Sequence, residues 1–195
     1  MYFCIRNKPI SKIMTEIKEI YPQHLYSFHY DGQERNEYRR LFHEWNNKAF
    51  LLSFFREHIA YLDNDIWSEF ENEPENAAKS VIMDANKLEP FIKELEKNTK
   101  AGKQPDFDSY FQPFDGKYAY VLEMVPMKAY GMNRHTFLRL YAIKLGPNCY
   151  LIVYGGLKLG RSVQESPVLK DNVIRKIDWA LYYLKQEGIY DGDAL

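Results

Sequence analysis

Cysteine is scarce in this chain. The 195 residues include two, Cys4 and Cys149, too few for a disulfide framework or a cysteine-rich metal centre. Such sparing use suits a reducing, cytoplasmic setting. A long apolar run is also missing. The most apolar stretch, Ala49 to Phe55, is interrupted by Ser53 and ended by Arg56, far short of the ~20 residues that cross a bilayer. The amino terminus reaches Arg6 and Lys8 before an export signal's apolar region can form. The sequence therefore predicts a soluble cytoplasmic protein with no membrane partner. Metal motifs are lacking too: His24, His29, His43, His58 and His135 show no ligand spacing, so no metal and no cofactor are expected. Asp63-Asn64-Asp65 starts like a calcium loop, but Ser68 and Pro74 stand where glycine and glutamate are needed. Gly155 to Ser162 approaches a phosphate loop, yet Arg161 replaces its lysine and Pro167 interrupts the helix that should follow.

A net excess of charge is absent as well, at −1 overall, which speaks against coating nucleic acid by bulk charge. The distribution is more informative. Between Tyr61 and Glu96 ten acids face three bases, and between Lys128 and Lys176 nine bases face two acids. The chain thus carries an acidic middle and a basic C-terminal part. Two readings of this stay open: ordinary solvated faces, or an anion-binding surface screened by the acidic region.

What is plentiful is apolar and aromatic surface. Hydrophobic residues make up 46% of the chain and aromatics 16%, enough to fill a core and exclude global disorder. Residues 2–6 are expected to form a short strand. Ile13, Met14, Ile17, Ile20 and Tyr21 repeat at helical spacing between Ser11 and Pro22. Leu25 to Tyr30 alternates as a strand with Tyr26, Phe28 and Tyr30 on one face. Helical stripes follow at Tyr38–Trp45, Phe50–Leu62 and Ala77–Ala85, with Pro90 breaking or restarting the last. Residues 98–105 read as a linker. Beyond it, strands are expected over 117–125, 137–144 and 149–155, then an amphipathic helix from Leu169 to Leu184 with Gly188 as its stop. The expectation is one α+β domain over 1–195: a small antiparallel sheet in a β-β-β-α part, 106–195, with a mainly helical extension, 1–105, packed on it.

The strand over 137–144 carries the functional signal. Alternation sends Leu138, Leu140 and Ala142 to one face and Arg139, Tyr141 and Ile143 to the other. That face is either a half-exposed structural surface or a cationic, aromatic floor of the kind RNA requires. Leu138-Arg139-Leu140-Tyr141-Ala142-Ile143, a short turn, then Tyr150 to Arg161 with Lys158, and a closing helix resemble the RelE/ParE toxin superfamily, including its HigB-like branch. The resemblance spans about residues 117–188. It implies an antiparallel sheet with flanking helices, metal-independent cleavage of mRNA, usually on the ribosome, and neutralisation by a helix-turn-helix antitoxin protein. By position, Arg139 matches the family's strand arginine, and Lys158 and Arg161 its basic cluster.

Cleaving RNA without a metal requires deprotonating a 2′-hydroxyl, stabilising the phosphate and protonating the leaving oxygen. Arg139 and Arg161 are the candidates for the phosphate. His135 has the most suitable free pKa for proton transfer. Tyr141 and Lys158 are secondary candidates, since their free values lie near about 10. His135 and Tyr141 also fit as a turn histidine and a packing tyrosine. Lys128, Arg134, Lys144 and Tyr154 complete the candidate RNA contacts. The alternative is a non-catalytic module that binds nucleic acid or protein through the same surface.

Overall fold

A computed structural model describes residues 15–114, 124–133 and 135–195. In chain order its elements are β1 (Glu16–Tyr21), β2 (Leu25–His29), α1 (Glu37–Trp45), α2 (Lys48–Glu57), α3 (Ile59–Leu62), a 3-10 helix (Asp65–Phe70), α4 (Pro74–Lys100) and α5 (Phe107–Tyr110). There follow β3 (Gln112–Pro113), β4 (Val125–Tyr130), β5 (Leu138–Gly146), β6 (Cys149–Leu157) and α6 (Val173–Gln186). The fold is α+β, an open six-stranded sheet ordered β1-β2-β6-β5-β4-β3. β4, β5 and β6 make an antiparallel meander as expected, but its first strand is Val125–Tyr130 rather than the run expected over 117–125. The sheet is mixed rather than purely antiparallel, because β2 joins the meander by pairing parallel to β6.

Strand alternation decides which face each side chain takes. Leu138, Leu140 and Ala142 of β5 point into a core shared with α1, α2 and α4. Tyr141 and Ile143 point into a second core beneath α6, where they meet Tyr26, Phe28 and Tyr30 from the β2 region. Each large apolar side chain taken fully out of water contributes about 1.5–3 kcal/mol. A one-residue slip of β5 would exchange all of them between faces, so the register is firmly set. Gly155 on β6 lets α1 approach: a β-carbon there would lie 2.6 Å from both Leu41 Cδ1 and the Arg139 carbonyl oxygen.

Two sequence expectations are corrected. The helix expected from Ile13 to Tyr21 is, over its described part, strand β1. A register shift between Glu19 and Tyr21 breaks the twofold alternation. That places Ile17, Ile20 and Tyr21 at intervals that mimic a helical stripe. Pro90 neither breaks nor restarts its helix, since α4 runs through it without interruption. Pro90 lies on the exposed side, as does Asn86 four residues earlier, so the carbonyl deprived of a donor faces solvent. The expected linker is in part the end of α4, followed by a turn in which Lys103 N–H donates to the Asn98 carbonyl at 2.8 Å. The strand expected over 2–6 lies outside the described residues, as does that over 117–125 up to residue 123; Val125 opens β4. No helix among the described residues is long and apolar enough to cross a membrane.

Candidate functional site

Pairing in the sheet places the basic side chains. Arg139 sits opposite Tyr130 across β4–β5, and Tyr141 opposite Lys128. On the other side Arg139 faces Gly156, which puts no side chain beside it. Just past β6, Lys158 N–H donates to the Phe137 carbonyl at 2.8 Å, extending the ladder. The segment then turns over buried Ser166, whose hydroxyl oxygen accepts from Leu159 N at 3.2 Å and Gly160 N at 2.9 Å. Trp67 of the 3-10 helix closes the far side. Its indole N–H donates to the Leu159 carbonyl at 2.6 Å, and its ring stacks on Phe137 with centroids 3.9 Å apart.

A cleft of about 500 Å³ opens between these elements, lined by His135, Arg139, Lys158 and Arg161 together with Trp67 and Tyr130. An adjoining recess of about 190 Å³ shares Tyr130, Arg139, Lys158 and Arg161 with it and adds Lys128. Six sequence-predicted residues therefore converge on the two cavities: Lys128, His135, Arg139, Tyr141, Lys158 and Arg161.

Arg139 is held without a carboxylate partner among the described residues. Its Nη1 donates to the carbonyls of Thr136 at 2.8 Å and Leu138 at 2.7 Å, and its guanidinium lies 4.5 Å from the Tyr130 ring centroid. Burial pushes its pKa below the ordinary arginine value, although an arginine stays protonated at any ordinary pH. Burial also lowers the Lys158 pKa, and the positive charges of Arg139 and Lys128 add to the effect. Lys158 Nζ donates to the Arg161 carbonyl.

The acidic middle segment reaches the rim of this cleft. Asp65 accepts two hydrogen bonds from Arg161 Nη2, at 2.9 and 2.8 Å, which raise the Arg161 pKa. Glu69 Oε1 lies 3.4 Å from His135 Nδ1. One short helix thus presents a carboxylate to each of two rim bases. Asp65 belongs to the stretch that resembled a calcium loop. Its function as a partner of Arg161 carries no signal in the sequence, and neither do the cleft roles of Trp67 and Tyr130.

Tyr141 and the remaining candidates are engaged in packing or ion pairs, or lie outside the described residues. Tyr141 borders the smaller recess, but its side chain is 1% exposed and packs edge-on against Phe114. Lys144 pairs with Asp108 at 2.8 Å and borders neither cavity. Tyr154 carries the Arg40 guanidinium 5.8 Å from its ring centroid, in a network with Glu37 and Glu44 below α1. Arg134 lies outside the described residues. Among the described residues no group of three or more His, Cys, Asp and Glu is arranged to hold a metal ion.

The arrangement gathers guanidinium and ammonium groups at one opening, with an imidazole 3.4 Å from a carboxylate and two aromatic rings alongside. No protein-family model, no curated protein and no solved structure matches this chain.

Proposed function

We propose that the cleft binds a phosphodiester of single-stranded RNA, and that the protein cleaves it as a toxin-like endoribonuclease. One observation carries the reading: Lys128, Arg139 and Lys158 converge on two adjoining cavities, none of them ion-paired with a carboxylate among the described residues. Burial together with the Arg139 and Lys128 charges lowers the Lys158 pKa against the opposing pull of Glu165. Like charges gathered at an opening repel until an anion binds among them. Tyr130 and Trp67 border the same space and suit a nucleotide better than a bare phosphate.

The residues fit the steps of RNA cleavage. His135, with Glu69 beside it, takes the 2′-hydroxyl proton as that oxygen bonds to phosphorus. Arg139 holds the non-bridging oxygens, and Arg161, tied to Asp65 in this structure, joins it when released. The bond from phosphorus to the 5′-oxygen breaks, and Lys158 gives that oxygen a proton. The products are a 2′,3′-cyclic phosphate and a 5′-hydroxyl end. A helix-turn-helix antitoxin is the partner that the superfamily resemblance supplies.

The test is incubation of 5′-labelled single-stranded RNA with the full chain in EDTA, alongside induced expression in a bacterial host. Cleavage and growth arrest are expected. Arg139→Ala should slow cleavage about 10²–10³-fold, as loss of one oxyanion donor does, and relieve the arrest. Intact RNA and normal growth with the wild type would sink the enzymatic reading. A binding-only reading is favoured by the two hydrogen bonds that tie Arg161 to Asp65; it predicts salt-dependent RNA affinity with the RNA left whole.

A further inference from the structure

Asp84 is a buried carboxylate, 1% exposed, in the middle of α4. It has no cationic partner among the described residues. All three of its hydrogen-bond donors come instead from one loop, the segment joining β4 to β5. Oδ1 accepts from Met132 N at 2.6 Å and Asn133 N at 3.0 Å, and Oδ2 accepts from the Thr136 hydroxyl. Burying a charge is costly unless donors surround it, so this loop is held by an interaction that the fold can ill do without.

The loop is shaped to receive that carboxylate. A β-carbon on Gly131 would collide with both the Asp84 carboxylate and Thr136 Oγ1, so only glycine permits the approach. Thr136 then passes the constraint onward. Its Oγ1 accepts from Leu138 N at 3.1 Å, and its carbonyl accepts from Arg139 Nη1 at 2.8 Å. A chain of contacts therefore runs from α4 through Asp84 and Thr136 to the guanidinium in the cleft.

Resting on the RNA reading above, we infer that Asp84 is a positioning residue for Arg139, acting through Thr136 to aim the guanidinium into the cleft. A carboxylate bonded directly to Arg139 would occupy the donors that a phosphate needs. Set one residue further away, Asp84 orients the group and leaves it available: the carbonyls of Thr136 and Leu138 engage Nη1, and no described residue accepts from Nε or Nη2, whose hydrogens can meet a ligand. The negative charge of Asp84 also favours the charged form of the buried guanidinium.

The test has two arms on the full chain. The first is nitrogen NMR of the arginine side chains without RNA, with the Arg139 signal assigned by Arg139→Lys. Slow guanidinium rotation is expected in the wild type and in Thr136→Ser, which keeps the hydroxyl. Fast rotation is expected in Asp84→Asn and Thr136→Val. If Asp84→Asn fails to fold, the two Thr136 variants make the same comparison. The second arm measures RNA cleavage. Asp84→Asn should lower kcat about 10- to 100-fold, the scale of misplacing a catalytic group by about 1 Å, with KM nearly unchanged. In an Arg139→Ala background it should add nothing, whereas general loosening of the fold would lower activity further. Unchanged rotation in the variants, or an undiminished effect without Arg139, overturns the inference. Rotation that responds as expected in a wild type that neither binds nor cleaves RNA refutes the RNA reading and leaves the positioning role standing.

Discussion

Neutralising Asp65 should strengthen RNA binding, in proportion to the cation it releases. In the wild type Lys128, Arg139 and Lys158 are the cleft cations with no carboxylate partner among the described residues, while Arg161 gives two hydrogen bonds to Asp65. Each phosphate neutralised on a single strand changes the slope of log affinity against log salt by about −0.7. Three available cations give a slope of about −2.1, and four give about −2.8. Between 50 and 200 mM salt the wild type should then lose about 18-fold in affinity and Asp65→Asn about 48-fold. The variant should also bind more tightly at the low-salt end. Fluorescence anisotropy with a 2′-O-methyl RNA, which resists cleavage, reads both quantities. The control is Arg161→Ala, in which replacing Asp65 should no longer matter. Equal slopes for wild type and Asp65→Asn would refute the reasoning, because Arg161 would then not be a cation held in reserve. A slope indifferent to Arg139→Ala would place RNA outside the cleft altogether.

Two further predictions concern the scaffold. Phe137 is 1% exposed and packs against Trp67, Phe55 and Phe70; Phe137→Ala should destabilise the fold by about 3–5 kcal/mol, measured by urea unfolding, and a loss under about 1 kcal/mol would contradict the packing. Asp108 sits below its ordinary carboxylate range: burial pushes it up, but hydrogen bonds from Lys144, Tyr150 and the Asn148 N–H outweigh that. Its stabilisation is therefore complete above the unfolded value of about 4 and fades as pH falls through the lower folded value. Asp108→Asn should cost stability at pH 7 and little at pH 2, and equal losses at both would overturn this assignment.

How much of this was legible in the sequence follows from where the information resides. Period-two alternation assigned both faces of β5 correctly, because burial on both sides leaves no freedom in its register. The stripes of α1 and α2 were readable for the corresponding reason in helices. β1 was misread because an edge strand with a bulge loses the alternation that identifies strands. In the cleft, Arg139, Lys158, Arg161 and His135 were found from residue type and local context, and Lys128 from the basic run. Arg161–Asp65 and Thr136–Asp84 were not legible. They join residues 96 and 52 positions apart, and only the packing of helices on the sheet brings such pairs together. Lys144 and Tyr154 had suitable chemistry but were already engaged by Asp108 and Arg40.

The parallel pairing of β2 with β6 bears on when the cleft comes into being. Leu25 pairs with Tyr150, Tyr26 with Leu151 and Ser27 with Ile152, so this contact closes a loop of most of the chain. The meander needs only near neighbours and can zip early. The long closure pays its entropy first and is rewarded late. The cleft draws Trp67 and Asp65 from the helical region within that loop, Arg139 from the meander and Lys158 from the segment just after it. During synthesis the basic strands emerge after the acidic helices. An intact opening therefore reports that the helical region and the meander have come together.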